Sequence, residues 1–373
     1  MESAPTDTAP AGEVPFGTPS PARRGPSRRP RRRSRALETT AFVVIGALLI
    51  GAVAAGFASL YREFWGPEAF VERYVSLLAE GRAADALTVP GVAVDSADLE
   101  AAGIPATVSD ALLRRSALTD DLTDVEVIGS QMVDGVAEVT ISYRAGGSAG
   151  RSTFRVEQDG WSGLVPSWRF ETTPLAVVDV TVRGSMRFTV NDFELDKRQV
   201  SPDGVDAQPL DPVPLLVFTP GAYAVSVDTA AAAAEPVQSL AQQPLDDVEV
   251  DVQAQPTDEF TDVVTEQVHD FLEECTTQQV LNPTGCPFGY ETYERAQAPT
   301  WSIVVQPQVA VVPNGAYWAI APAGGIAHIE MDVQSIYDGS FFHISQDVTF
   351  TIDGTIDILA DGSAAISIGS PDL

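Results

Sequence analysis

Residues 39–61 read TTAFVVIGALLIGAVAAGFASLY, a run of 23 residues without a charged side chain. As a helix this run is about 34 Å long, enough to cross a hydrocarbon core of about 30 Å. Tyr61, Arg62, Phe64 and Trp65 lie at its end, where membrane proteins place interfacial anchors. We therefore expect a single transmembrane helix at 39–61 and interpret the remaining sequence relative to it.

The segment before this span, residues 1–38, contains seven prolines and eight arginines against four acidic residues. It has no apolar periodicity, so we expect it to be disordered. Arginines beside an apolar span are retained in the cytoplasm, which predicts a cytoplasmic N-terminus and an extracytoplasmic region, 62–373, at the plasma membrane. Basic residues near the span also favour contact with the anionic lipid bilayer. Those nearest the span are Arg28, Arg29, Arg31, Arg32, Arg33 and Arg35.

A cleaved signal peptide is the alternative for this span, since the AVA sequence at 52–54 has the form that signal peptidase accepts. The long preceding segment and the long apolar run favour a signal anchor. Ala47, Gly51 and Ala55 recur at four-residue spacing. This spacing permits close helix pairing, and an alanine-rich composition also produces it. The oligomeric state therefore stays open.

The chain after residue 38 is strongly acidic, with 14 basic and 48 acidic side chains and hence an excess of 34 negative charges. Such a surface repels nucleic acid and favours basic partners or divalent cations. The chain has two cysteines, Cys275 and Cys286, both in the predicted outer region. In an oxidising compartment we expect them to form a disulfide that closes a short loop.

The first part of the outer region, 66–173, predicts helices followed by strands. Gly66-Pro67 begins a helix with an apolar face, and a second short helix is expected around 108–118. The apolar period then changes to two, which predicts antiparallel strands joined by tight turns such as Asp134-Gly135. These strands are expected at 125–133, 136–144, 151–158 and 166–171. The order of elements resembles the NTF2-like α+β fold, in which a cone of strands often encloses a ligand pocket.

One catalytic motif lies in this first part. Residues 146–150, GGSAG, match the G-x-S-x-G nucleophile elbow around Ser148. That motif requires a strand before it and a helix after it, whereas two strands flank it in this chain. The sequence therefore predicts a glycine-rich hairpin turn. The first part also contains no histidine or cysteine, which removes the usual acid–base and nucleophilic groups.

The second part, 174–254, alternates apolar and polar residues and predicts a small β-sandwich. Its strands are expected at 175–184, 186–192, 214–219, 222–228 and 247–253. The alanine run Ala230–Ala234 is expected to be a loop or a short helix. The sequence FTPGAYAVSVD at 218–228 resembles the Pro-Gly-x-Tyr turn and strand of PEGA-like envelope repeats. That resemblance implies a hairpin at a sheet edge and a spacer or adhesive role.

The third part, 255–373, predicts a helix on an antiparallel sheet, an α+β arrangement similar to cystatin or to NTF2-like domains. Thr257 is placed to cap the helix, with acidic residues in the first turn. The predicted apolar stripe of the helix consists of Phe260, Val264, Val268, Phe271 and Cys275. Strands are expected at 301–313, 316–321, 326–337, 341–353 and 355–368.

Three sets of residues in the third part are of types found in catalytic or metal sites. His269 and Cys275 are six residues apart, which does not place them on one helix face. His328 and His343 lie within predicted strands, where they form either a metal pair across a hairpin or structural histidines. The Asp-Gly pairs at 353–354 and 361–362 match hairpin turns better than calcium loops. We therefore expect no catalytic, cofactor or metal site.

The order of parts, together with the FTPGAY turn, resembles the teicoplanin-resistance-associated (TcaA-type) single-pass envelope proteins. The chain departs from that family before the span, where it has a Pro/Arg segment instead of a cysteine zinc ribbon. The resemblance implies a non-enzymatic binding or sensing module of the cell envelope, with envelope proteins or wall components as partners. The alternative is an enzyme, or a small-ligand-binding protein, that uses the pocket of an NTF2-like cone.

Overall fold

The computed structural model describes residues 43–53, 64–92, 96–163, 165–359 and 363–369. Residues 43–53 are helical, and the rest of the predicted span 39–61 lies outside the described residues. Within the described part of the chain, no helix has both the length and the apolar character needed to cross a membrane. The described residues within 59–373 form one compact unit, to which every helix and strand named below belongs.

This unit is a mixed α+β fold built mostly from antiparallel sheets, and this fold class is the one that the sequence predicts. The helices are α1 (Pro67–Ala79), α2 (Ala83–Ala86), α3 (Ser96–Ala101), α4 (Lys197–Val200) and α5 (Asp258–Thr276). The first strands are β1 (Thr123–Val133), β2 (Val136–Ala145), β3 (Ser148–Ser162), β4 (Val165–Phe170), β5 (Leu175–Arg183) and β6 (Arg187–Val190). They are followed by β7 (Phe193–Asp196), β8 (Val213–Phe218), β9 (Gly221–Asp228), β10 (Ala232–Ala241), β11 (Asp247–Gln253) and β12 (Gln255–Pro256). The last are β13 (Arg295–Ala296), β14 (Thr300–Val305), β15 (Val311–Asn314), β16 (Tyr317–Gln334), β17 (Phe341–Ile358) and β18 (Ala364–Gly369).

The first sheet is the predicted antiparallel meander, in the order β1-β2-β3-β4. Helix α1 packs on it through an aromatic cluster in which the rings of Phe70 and Tyr74 each lie 5.0 Å from the ring of Phe170. The predicted helix around 108–118 is wrong, because only a 3-10 turn at Arg115–Ala117 forms there. Ser109 instead exchanges main-chain hydrogen bonds with β8, which holds this segment in an extended conformation.

The next region is a sandwich of two sheets, ordered β12-β10-β9-β6-β7 and β11-β5-β8. Strands β8 and β9 belong to different sheets, so the hairpin implied by the PEGA-like resemblance is wrong. The Pro220-Gly221 turn carries the chain from one sheet to the other. The Tyr223 hydroxyl donates to the Phe218 carbonyl at 2.9 Å, and its ring lies over Gly221, where a Cβ atom would be 2.7 Å from that hydroxyl.

The alanine run is also corrected by the structure, since Ala232–Ala234 begin strand β10. Ala233 pairs with Asp228 of β9, and Ala232 is buried in the core of the sandwich. Here pairing and burial outweigh the low intrinsic preference of alanine for strands.

The three-stranded sheet of the sandwich is buried on both faces. Along β5, Val178 and Val180 face the core between the two sheets, whereas Leu175 and Val177 belong to the core of the α1 region. Strand β8 alternates in the same way. Strands β5 and β8 therefore contribute side chains to the cores on both sides of the domain boundary predicted near residue 173.

In the third region, α5 packs on a six-stranded antiparallel sheet. The predicted cap is confirmed, because the Thr257 hydroxyl accepts a hydrogen bond from the Phe260 N–H at 3.1 Å. The buried stripe of α5 differs from the prediction at one position, where Leu272 is fully buried and Phe271 only half-buried.

The sheet of this region is organised around β16 and β17, which pair along almost their whole length. The hairpin turn predicted at Asp353-Gly354 is wrong, because both residues lie inside β17. Gly354 is needed there since a Cβ atom would lie 2.6 Å from the Ser367 carbonyl of β18. The other predicted Asp-Gly turn, at 361–362, lies outside the described residues.

Candidate functional site

The hairpin formed by β16 and β17 ends in a six-residue tip, Ser335–Ser340, whose one aromatic side chain, Tyr337, is almost fully exposed. The last strand pair before the tip is Gln334 opposite Phe341. The sequence pattern predicts a first strand that runs to residue 337, whereas the structure ends it at Gln334 and places Ile336 and Tyr337 in the turn.

Main-chain hydrogen bonds hold the tip. The Ser335 N–H donates to the Ser340 carbonyl at 2.8 Å, and the Gly339 N–H donates to the Ser335 carbonyl at 3.0 Å. The Ile336 N–H donates to the Glu294 carboxylate at 2.7 Å, which fixes the tip to the segment before β13. The tip is thus an ordered loop on a rigid strand scaffold, as is typical of binding loops.

Five large apolar side chains around this tip remain in water. Tyr293 and Tyr337 are each 96% exposed, and Phe341 is 66% exposed. Ile336 and Phe342 complete the set, which we call the aromatic tip: Tyr293, Ile336, Tyr337, Phe341 and Phe342. Phe341 and Phe342 are consecutive strand residues, so their side chains lie on opposite faces of the hairpin and the exposed apolar surface extends around its end. Exposed apolar surface of this kind marks interaction sites, and tyrosine is enriched among residues that dominate binding energy.

Three carboxylates lie at the aromatic tip. Asp338 accepts hydrogen bonds from the Ser340 hydroxyl at 2.7 Å and from the Ser340 N–H at 3.1 Å. The Ser340 hydroxyl is the main cause that lowers the pKa of Asp338 below its ordinary value. Asp332 and Glu294 lie next to the same turn and add further negative charge. Arg295, opposite Gln334, is exposed beside the same turn, so three carboxylates and one arginine give this end of the hairpin a net negative charge.

The two strand histidines do not meet. His328 lies opposite Asp347 and His343 lies opposite Asp332, so the two are four residues apart along the hairpin, or about 13 Å. Of the two alternatives left open for these histidines, the metal pair across the hairpin is therefore the one that the register does not allow. Across the described ranges, no group of three or more histidine, cysteine and acidic residues is arranged to hold a metal ion.

His328 is part of a carboxylate–imidazole–hydroxyl relay that the sequence analysis missed. Its Nδ1 lies 2.6 Å from the Asp347 carboxylate, and its Nε2 lies 3.1 Å from the Ser345 hydroxyl. The order of groups is that of a serine-hydrolase triad. However, Ser345 and Asp347 are both exposed on an open strand face, where water screens the charges and competes for the hydrogen bonds.

The serine motif of the first part is a hairpin turn, as predicted. Gly146 and Gly147 both have positive φ and connect β2 to β3, which begins at Ser148. Gly146 also lies close to the sandwich, because a Cβ atom there would be 2.9 Å from the Cβ of Ala222. Gly150 is covered by the ring of Tyr143 on the neighbouring strand. Each motif glycine thus has a structural cause.

Cys275 and Cys286 form the predicted disulfide, with Cα atoms 5.8 Å apart. Cys275 is therefore not a ligand partner for His269. The loop that the bond closes is also fixed by Trp301, whose indole N–H donates to the Val280 carbonyl at 2.9 Å.

The remaining predicted positions lie at the start of the chain. Ala47 and Gly51 belong to the helical segment 43–53, while Ala55 and the arginines at 28–35 lie outside the described residues.

Comparison of the chain with protein families, with curated proteins and with solved structures gives no match in any of the three.

The sequence does not predict the aromatic tip because its pattern assigns Ile336 and Tyr337 to the preceding strand, 326–337, and Phe341 and Phe342 to the following one, 341–353. A signal was nevertheless present. The sequence SIYDGSFF at 335–342 combines turn residues with four large apolar ones, and apolar residues within a turn have no core to enter.

Proposed function

We propose that this chain is a membrane-anchored, extracytoplasmic protein of the cell envelope that binds a partner protein through the aromatic tip and has no catalytic activity of its own. The anchor and the orientation rest on the uncharged run 39–61 and on the arginines before it. The binding role rests on one observation, the five exposed apolar side chains of the aromatic tip, four on the ordered hairpin and Tyr293 on the segment bound to it.

An ordered tip favours binding for an entropic reason. Its main chain is already fixed by hydrogen bonds within the turn and to Glu294, so association does not have to order it. Aromatic side chains with two rotatable bonds also lose little freedom on contact. The tip therefore offers a large apolar contact area at a small cost in conformational entropy.

The chemistry of the tip restricts the class of partner. The carboxylates of Glu294, Asp332 and Asp338 outnumber the arginine beside them, Arg295, and the chain as a whole carries a formal charge of −30. An anionic lipid surface would be repelled. The complementary surface is that of a protein with an apolar pocket bordered by lysine or arginine.

A photo-crosslinking experiment tests this proposal. A benzophenone amino acid replaces Tyr337 in the full chain, and the cells are irradiated before the envelope is extracted. We expect a discrete crosslinked adduct with a protein partner. The matched control places the same group at Trp161, which is 65% exposed on the first sheet, away from the hairpin.

A substitution provides the second arm of this test. The double variant Tyr337→Ser/Phe341→Ser should abolish an adduct formed from a benzophenone at residue 293 while leaving the melting temperature unchanged. Identical adducts at residues 161 and 337, or an adduct that the double variant does not weaken, would reject the aromatic tip as the binding surface.

The location is tested separately. A reporter enzyme fused after Leu373 should be active only when it has been exported, because the arginines retain the N-terminus in the cytoplasm. Reporter activity in the cytoplasm, or mature protein that begins near residue 55, would contradict the anchored orientation.

The NTF2-like and TcaA-type resemblances remain part of the proposal. The first is supported by the order of helices and four antiparallel strands in residues 66–173. The position of a cone pocket, between α1 and the sheet, is occupied by the side chains of Phe70, Tyr74, Phe154 and Phe170. This packing favours a binding surface outside the cone over a ligand site within it.

An enzyme is the second candidate, and the relay of Asp347, His328 and Ser345 is the observation that favours it. Hydrolysis would also require donors directed at an oxyanion and a site that excludes water. The exposed position of Ser345 provides no such exclusion. We therefore rank this candidate below the binding module, and labelling by a serine-reactive fluorophosphonate distinguishes the two.

A further inference from the structure

A cleft of about 340 Å³ lies between the sandwich and the last sheet, away from the aromatic tip. One wall consists of the turn between β5 and β6 and of the connection between β9 and β10, Thr229–Ala231. The other consists of the start of β16 and the end of β17. The volume falls at the lower end of the range of small-molecule pockets.

The charge inside this cleft is opposite to that of the protein as a whole. Arg187 and Arg198 are the charged side chains among its described lining residues. Both guanidinium groups share one carboxylate. Asp196 accepts two bonds of 2.9 Å from Arg198, and its carboxylate lies 3.7 Å from Nε of Arg187. Two cations and one anion leave one net positive charge.

This arrangement keeps Asp196 ionised. Burial alone would raise its pKa, but the hydrogen bonds and charge of Arg198, together with the charge of Arg187, lower the pKa below its ordinary value. Arg187 makes only the longer contact, so its guanidinium can bind a further anion. Arginine suits this role because its fork of N–H groups matches carboxylate geometry.

The opposite wall of the cleft is apolar and open to water. Tyr317 is 51% exposed and Leu359 is 49% exposed, and Ile358 lies beside them. Alanine residues of the β9–β10 connection and Trp318 add further apolar lining. A ligand with an apolar body would cover this surface, at a gain of about 25 cal/mol per Å² of apolar area.

Both walls are held in place without a ligand. Trp318 donates from its indole nitrogen to the Gly184 carbonyl at 3.2 Å, which connects the two sheets across the cleft. The Lys197 ammonium donates to the carbonyls of Val182, Pro209 and Asp211, which fixes α4 and therefore the neighbouring Arg198. The cleft is thus preorganised.

We propose that this cleft binds a small monoanionic acid with an apolar body, such as an aryl- or alkyl-carboxylate, whose carboxylate pairs with Arg187 while its body covers Tyr317, Ile358 and Leu359. The site is independent of the aromatic tip and of the partner proposed for it.

Binding of 4-phenylbutyrate tests the proposal. The full chain in discs of zwitterionic lipid is titrated by isothermal calorimetry, with empty discs as the blank. We expect saturable binding of the carboxylate and at least tenfold weaker binding of the uncharged 4-phenylbutanamide, because a charge-assisted hydrogen bond is lost. Arg187→Gln should weaken 4-phenylbutyrate at least tenfold and leave the amide unchanged.

The matched control is Arg183→Gln, which removes an exposed arginine paired with Asp251 outside the cleft. It should leave binding of 4-phenylbutyrate unchanged. The melting temperature of each variant confirms that it is folded. Absence of saturable binding, equal binding of acid and amide, or equal weakening by Arg187→Gln and Arg183→Gln would overturn the proposal.

Discussion

The indole nitrogen of Trp318 donates a hydrogen bond to the main-chain carbonyl of Gly184, with 3.2 Å between the two atoms. Trp318 belongs to the last sheet and is fully buried, whereas Gly184 lies in the turn after β5 of the sandwich. The bond therefore joins two regions that the sequence analysis treated as separate domains. Their apolar residues also share one core.

Gly184→Ala should destabilise the protein markedly. Gly184 has a φ of +87°, and a Cβ atom there would lie 2.7 Å from the ring of Trp318. The matched control is Gly204→Ala, since Gly204 has a φ of +58° and a Cβ atom added there would have no neighbouring atom within 4 Å. The control should cost about 1–2 kcal/mol for the backbone alone, and Gly184→Ala should cost at least about 1 kcal/mol more. Equal losses in urea unfolding would contradict the close packing of Trp318.

Tyr223→Phe should lower the free energy of unfolding by about 1–2 kcal/mol. The substitution removes the hydroxyl that donates to the buried Phe218 carbonyl and leaves that carbonyl without this donor. Tyr293→Phe is the control, because that side chain is 96% exposed and should change stability by less than about 0.5 kcal/mol. A neutral Tyr223→Phe variant would show that the bond does not stabilise the turn between the sheets.

Lys197 should make stability depend on alkaline pH. Burial lowers the pKa of Lys197 to about 8 from its ordinary 10.5, partly opposed by the charge of Asp211. Between these two values the unfolded chain binds more protons than the folded one, so stability rises with pH in that window. Relative to Lys197→Met, which cannot titrate, the native protein should gain up to about 3 kcal/mol from about pH 8 to pH 10.5. A constant difference between the two unfolding curves would contradict the lowered pKa.

The disulfide gives a prediction that thiol chemistry can check. Alkylation of the native protein without reductant should label neither Cys275 nor Cys286, and reduction should lower the free energy of unfolding by about 2–3 kcal/mol. The double variant Cys275→Ala/Cys286→Ala should show no response to reductant. Labelling of both residues in the untreated protein would mean that the thiols are free.

Several features follow directly from local sequence. The glycine pair at 146–147 and the Asp134-Gly135 pair adopt the positive φ angles that two-residue hairpin turns require. Thr257 has the side chain and the position of a helix cap, and it caps α5. These predictions hold because the cause of each structure lies within a few residues of it.

Other features depend on residues that are distant in sequence. Gly354 is interpreted as a turn by local rules, but it lies within a strand because β18 approaches its main chain. Burial of β5 on both faces depends on the contact with the α1 region. Its continuous apolar run LAVV at 175–178 was a usable signal, since strands covered on both sides lose their alternation.

The candidate sites were the least predictable. Arg187 and Arg198 are eleven residues apart and meet at Asp196 only because β6 pairs with β7, which places Arg187 opposite Asp196. The relay around His328 likewise depends on the register that sets His328 opposite Asp347. Register is determined by the packing of the whole sheet, so no local pattern in the sequence contains it.

The last prediction is that neither serine constellation is catalytic. Ser148 begins a strand after a two-residue turn, and Ser345 lies exposed on a strand face although His328 is within 3.1 Å. A fluorophosphonate should therefore leave the protein unlabelled under conditions in which a serine hydrolase in the same tube is labelled fully. Ser148→Ala and Ser345→Ala should each change stability by less than about 0.5 kcal/mol. If labelling does occur, disappears in Ser345→Ala and persists in Ser148→Ala, then the relay is a working nucleophile–base pair, and the enzyme replaces the binding module as the favoured function.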